Sequence, residues 1–146
     1  MLYVPTFIGV YIFCIFMIRW VLFLIIVDEN VQFRNTLGSR LRLLGFHVEF
    51  ANGGFHLLHV LEKMWDYNLI IVHEHMQDMS AEEMISLVRT HKAKTELPIL
   101  YIANKSNEEE ICDMILTGAN EYIVKSTNIQ IIVDRAKKYF GLLKNS

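Results

Sequence analysis

The sequence predicts an open three-layer α/β domain around a parallel sheet of five strands. Three observations predict it. After residue 20, short apolar runs alternate five times with amphipathic stretches. The runs at 21–27, 69–73 and 98–103 are nearly continuous in Ile, Leu and Val, as strands covered on both faces require. Gly45, Gly53-Gly54 and Gly118 punctuate the joints.

Each element follows in order. The first strand is Val21 to Val27, and the helix after it sets Phe33, Leu37, Leu41 and Leu44 on one side. A strand at 47–51 leads to a second helix with Leu57, Leu58, Leu61 and Trp65 on one face. The third strand is 69–73. The helix over 80–91 opens on Ser80 with Glu83 three residues on, the spacing of a capping box. After the strand at 98–103, Ser106 and Glu109 open the helix over 106–117 by the same rule. The last strand is 121–124. The last helix, 128–140, turns Ile129, Ile132, Val133, Ala136 and Phe140 inward and leaves Ile131 and Leu142 on its outer side. Asp28 and Glu29, His73, Ala103 and Lys125 are thereby delivered to the carboxyl ends of strands, the edge at which open α/β sheets carry their chemistry.

Composition bounds the function. The 146 residues are 53% apolar and 21% charged, enough for one core and too few for two domains of ordinary size. A net charge of −2 without a run of Lys or Arg argues against nucleic-acid binding. No phosphate-binding glycine loop, catalytic triad or zinc spacing is present, so a conventional enzyme is not expected. Cys14 and Cys112 fit free thiols in a reducing compartment, and the cytoplasm is the expected location.

The amino-terminal stretch stands apart. Residues 1–18 are free of charge and as a helix would reach ~27 Å, just enough to cross a hydrocarbon core. Three readings stay open. Residues 1–18 are a membrane anchor on the cytoplasmic face of the inner membrane, or the natural start is Met17, or the stretch is an extra packed element. Against the anchor, only Arg19 and Trp20 separate the run from the first strand, and two extended residues span ~7 Å. The domain proper is taken as 19–146.

From about residue 20 onward the chain resembles a bacterial response-regulator receiver domain of two-component signalling. Five segments carry the resemblance: I-I-V-D-E-N (25–30), F-H-V-E-F-A-N-G-G (46–54), N-L-I-I-V-H-E-H-M-Q-D-M-S (68–80), L-P-I-L-Y-I-A-N (97–104) and G-A-N-E-Y-I-V-K-S (118–126). The resemblance implies a flavodoxin-like sheet in the order 2-1-3-4-5. It also implies a site in which an Asp ending the third strand accepts a phosphoryl group, an acid pair holds Mg²⁺, a hydroxyl contacts the phosphoryl oxygen and a Lys neutralises it. Asp28 and Glu29 match the acid pair, Lys125 the Lys, and Tyr122 the aromatic switch position. The acceptor position holds His73 and the hydroxyl position Ala103.

Two departures at one site point to a pseudo-receiver that works without phosphorylation, as a protein-interaction module. The expectation is that Mg²⁺ is absent, that Lys125 contacts Asp28 or Glu29, and that a protonated His73 hydrogen-bonds the acids in the ion's place. Two other roles for His73 stay open: a transition-metal ligand with Asp28 and Glu29, in a metal- or pH-responsive sensor, and a phosphohistidine. The expected partner, a signalling protein or a second copy, docks on the face of the fourth helix, fifth strand and fifth helix through Ile131, Tyr122 and Leu142.

Overall fold

The computed structural model describes residues 22–64, 66–125 and 128–144. Residues 1–18, Trp65 and the side chains of Phe140 and Leu142 lie outside the described part. Strands β1 (Phe23–Val27), β2 (His47–Ala51), β3 (Leu69–His73), β4 (Ile99–Ala103) and β5 (Glu121–Val124) alternate with α1 (Val31–Leu43), α2 (Gly54–Lys63), α3 (Ala81–Arg89), α4 (Glu108–Thr117) and α5 (Gln130–Lys144). The sheet is wholly parallel, in the order β2-β1-β3-β4-β5.

Alternation along each strand splits the core into two layers. Leu24, Ile26, Ile71, Leu100 and Ile102 pack with Leu37 and Leu41 of α1 and Ile132, Val133 and Ala136 of α5. Ile25, Val27, Ile70, Val72 and Tyr101 face Leu57, Leu61, Met84, Ile85, Val88 and Met114 of α2, α3 and α4. Period-two alternation places successive residues on opposite faces, so a run of branched aliphatics serves both layers. Each such side chain contributes about 1.5–3 kcal/mol of burial. No helix among the described residues is long and apolar enough to cross a membrane.

Registers bring the strand ends level. Val27 pairs with Ala51 and Val72, His73 with Ile102, and Ala103 with Val124. The residues that follow therefore meet along one edge.

Local details depart from the sequence reading at three points. Asn107, not Ser106, caps α4, its Oδ1 accepting from the backbone N–H groups of Glu109 and Glu110 at 3.1 and 3.3 Å. Ser80 caps α3 as expected, accepting from Glu83 N–H at 3.0 Å. Leu44 is exposed at the carboxyl cap of α1 instead of facing inward. Helix α5 runs past 140 to Lys144. Gly118, which ends α4 at φ +141°, is required twice over: side-chain residues avoid that backbone, and a Cβ would lie 2.6 Å from Arg89 Cγ.

Candidate functional site at the carboxyl edge of the sheet

Asp28 leaves β1 buried, with 3% of its surface exposed. Its Oδ1 accepts from Asn30 N–H at 2.8 Å, and Asn30 in turn caps α1 by accepting from Phe33 N–H at 3.0 Å. Its Oδ2 is buried and has no hydrogen-bond partner. The Asp28 carbonyl accepts from Arg34 Nη1 at 3.2 Å, so a cation approaches the residue from α1. Glu29 turns the other way: its Oε1 accepts from Gln77 N–H in the β3–α3 loop. That loop is also tied to α2, because Asp78 accepts from the backbone N–H groups of Gly54 and Phe55 at 3.1 and 2.9 Å.

His73 ends β3 with 6% exposure. Its Nδ1 accepts from His75 N–H at 3.3 Å, so Nε2 carries the hydrogen and donates to Asn104 Oδ1 at 3.2 Å. The ring is neutral. Burial is the largest influence on it and pulls its pKa below the ordinary histidine value; Lys125 pulls the same way, against the Asp28 carboxylate, the Asn104 hydrogen bond and Glu74. This corrects the expectation of a protonated His73 bonded to the acids. Desolvation outweighs the neighbouring carboxylate, and Asn104 satisfies the ring without requiring charge.

Lys125 is the second correction. Its Nζ lies 4.1 Å from the centroid of the Phe33 ring, and among the described residues it forms no ion pair with Asp28 or Glu29. A cation over an aromatic face is stabilised without losing its water, which a buried carboxylate would demand. Ala103, fully buried, offers only a methyl group at the end of β4.

Tyr122 closes the site on the β5 side. Its hydroxyl donates to the Lys105 carbonyl at 2.8 Å, and its ring lies 5.3 Å from that of Tyr101, whose own hydroxyl donates to Glu110 Oε1 at 2.7 Å. Burial, with Glu110 and Glu74 nearby, raises the Tyr122 pKa. Asn104 and Lys105 are consecutive, so the β4–α4 loop is pinned to His73 by one residue and to Tyr122 by the next. Sequence reasoning missed Asn104. Its signal was a polar side chain directly after a buried strand, in the same motif as Ala103.

The donor set that the resemblance assigns to a divalent ion is altered here at its third member, where His73 stands in place of a carboxylate. Magnesium demands a near-octahedral shell of oxygens. Asp28 Oδ2 is buried without a hydrogen-bond partner, Glu29 accepts from Gln77 N–H through one of its two carboxylate oxygens, and both His73 nitrogens are hydrogen-bonded. Among the described residues no group of three His, Cys, Asp or Glu side chains is disposed to hold a metal.

The comparisons with known proteins agree with the architecture. Residues 24–137 match the family model described as the response regulator receiver domain. The chain belongs to that family. It is 26% identical over 119 residues to a chemotaxis protein CheY homolog of Campylobacter jejuni, covering 81% of this chain and 92% of that one. It is 27% identical over 121 residues to chemotaxis protein CheY-3 of Vibrio cholerae, covering 82% and 92%. Among solved structures, the chemotaxis response regulator CheY4 of Vibrio cholerae superposes with a TM-score of 0.75 at 23% identity, covering 82% of this chain and 98% of that one. The response regulator TrrA of Thermotoga maritima, solved with Mg²⁺ and BeF, gives 0.71 at 24% identity, covering 82% and 99%. The sheet order and the five flanking helices are those expected of a receiver in two-component signalling.

Proposed function

We propose that this receiver domain works without phosphorylation, as a protein-interaction module in two-component signalling. The observation that carries the reading is the pair of bonds on consecutive residues, His73 to Asn104 and Tyr122 to Lys105. In a phosphorylated receiver a hydroxyl at the end of the fourth strand would pull this loop toward an acyl phosphate. Here the imidazole holds the loop through Asn104, and Ala103 has no group to contact a phosphoryl oxygen. One arrangement of the loop and of Tyr122 is therefore favoured at all times. A partner reads the face of α4, β5 and α5, where Tyr122 is joined by Val124 and by Ile131, 43% exposed; a signalling protein or a second copy of this chain is the proposed occupant.

The test is exposure to acetyl phosphate or beryllofluoride with Mg²⁺, followed by amide NMR. Unchanged signals at 73, 104, 105 and 122 support the reading. Shifts at those residues would overturn it.

A second reading, a pH-responsive site, is favoured by the His73 Nδ1 bond. Protonation would forbid His75 N–H from donating there and would place a cation among Asp28, Lys125, Glu74 and Asn104. A change in partner binding between pH 7.5 and 5.5 that disappears in His73→Gln would select it, and a saturable Zn²⁺ or Ni²⁺ response would select its metal-dependent form instead.

A further inference from the structure

Helix α1 carries a second stripe beside the one that enters the core. Leu37 and Leu41 are fully buried, whereas Phe33, Thr36 and Arg40, spaced three and four residues apart, share a neighbouring face. Across from that face α5 begins. Arg40 Nη1 donates to Gln130 Oε1 at 3.3 Å, which bridges the two helices, and Ile129 packs in the same core layer as Leu37 and Leu41. Thr36 is the shortest of the three side chains in the stripe, so a hollow remains between its longer neighbours.

The hollow is an open cleft of about 420 Å³, lined by Phe33, Thr36, Arg40, Lys125 and Ile129 and by two side-chain amides. Small-molecule sites begin at about 300 Å³. Its charge is of one sign, because it holds two cations and no carboxylate lines it. The acids nearest in sequence engage other groups: Asp28 Oδ1 accepts from Asn30 N–H, Glu29 Oε1 from Gln77 N–H, and Asp134 Oδ1 from Gln130 Nε2 at 2.9 Å. Among the described residues neither Arg40 nor Lys125 forms an ion pair. Lys125 Nζ marks one end, 4.1 Å from the centroid of the Phe33 ring. Arg40 marks the other, two turns farther along α1 or ~10 Å. Its bond to Gln130 uses one of five guanidinium N–H donors, and the rest of the fork suits a planar acid.

We propose that this cleft binds a small organic dianion, one acidic group at Lys125 and the other at Arg40, with an apolar middle between Phe33 and Ile129. An inorganic anion would reach only one of the two cations and would leave the apolar walls wet. A monoanion of the same length would fill the walls but leave one charge uncompensated. The site is distinct from the acid pocket, since Asp28, His73 and Ala103 do not line it.

The experiment titrates the full chain at low ionic strength with biphenyl-4,4′-dicarboxylate, a rigid probe whose carboxylates stand ~10 Å apart, matching two helical turns. Its monomethyl ester serves as the monoanion, and amide NMR is the readout. Saturable shifts are expected at residues 33, 36, 40, 125 and 129, with the dianion binding about five-fold more tightly than the ester, the scale of one solvated ion pair. Arg40→Gln should erase that preference, and Thr36→Trp, which fills the cleft from an exposed position, should abolish binding of both probes. Added salt should weaken the dianion more than the ester. The proposal is overturned by the absence of saturable binding at millimolar concentration, by equal affinity for the two probes, by a preference that survives Arg40→Gln, or by binding that survives Thr36→Trp. Residues 73, 104, 105 and 122, at which phosphorylation independence is read, line no part of the cleft, so either reading can fail without the other.

Discussion

Replacing His73 by Asp probes the site most directly, because it puts a second carboxylate beside one that already has an unpartnered oxygen. The position is 6% exposed and Asp28 is 3% exposed, with Oδ2 unsatisfied. Two carboxylates ~5 Å apart at an effective dielectric of ~20 repel by about 3 kcal/mol. The hydrogen bonds lost from the imidazole, 3.2 and 3.3 Å long, are at the weak end of the range. One is recoverable, since His75 N–H can donate to the new carboxylate. A net loss of about 3 kcal/mol lowers Tm by roughly 12 °C in a domain of this size. Magnesium should reverse most of it, because the variant supplies the oxygen donor that the imidazole withholds, and saturation at about 100 times Kd returns about 2.7 kcal/mol. The assay is thermal melting of both proteins in EDTA and in excess Mg²⁺. The parent should ignore magnesium, whereas the variant should melt low in EDTA and recover. Beryllofluoride should still leave Tyr122 unmoved until Ala103→Thr is added. A variant that melts with the parent and ignores magnesium would mean that residue 73 does not face the Asp28 carboxylate.

Three further outcomes are expected. Asn104→Ala removes the acceptor of the His73 Nε2–H at a solvated position and should cost about 1 kcal/mol, with chemical-shift changes reaching Tyr122; changes confined to residue 104 would refute the coupling through the loop. Burial holds the folded His73 pKa below that of the unfolded chain, so its contribution to stability is complete above about pH 6.5 and is lost as pH falls toward the folded value; His73→Gln should flatten this part of the Tm profile, and parallel profiles would refute it. Ile131→Lys should abolish association through the α4, β5 and α5 face while shifting Tm by less than about 3 °C, because the side chain is already 43% exposed; a larger shift would make it a core residue, and intact association would place the interface elsewhere.

What could be read from the sequence divides at the strand ends. Ile70, Ile71 and Val72 announce a strand buried on both faces because no alternation interrupts them, and the same logic fixes β1 and β4. Once the strands are placed, Asp28, His73, Ala103 and Lys125 must share an edge, and they do. The caps were harder. Ser106 and Asn107 are both good cap residues, and only the backbone decides, since Asn107 is extended at φ −141° with its amide oxygen within reach of two N–H groups.

The remaining differences lie in side-chain choices at the site, and they share one cause. Sequence position shows which groups arrive at an edge but not which hydrogen bonds the connecting loops already offer them. Gln77 N–H claims Glu29, His75 N–H claims one nitrogen of His73, and Asn104 takes the other. Each is satisfied locally before any of them needs its charged neighbour. Lys125, left without a free carboxylate at contact distance, settles over Phe33. Arg34, a helix residue, reaches back with its guanidinium to the Asp28 carbonyl and to Asn52 Oδ1, its Cζ lying 5.2 Å from the centroid of the Phe50 ring. Its Nε, like Asp28 Oδ2, is buried without a partner. Arg34 thus fixes the backbone at Asp28 against Asn52, and the Asp28 carboxylate keeps one buried oxygen without a hydrogen-bond partner.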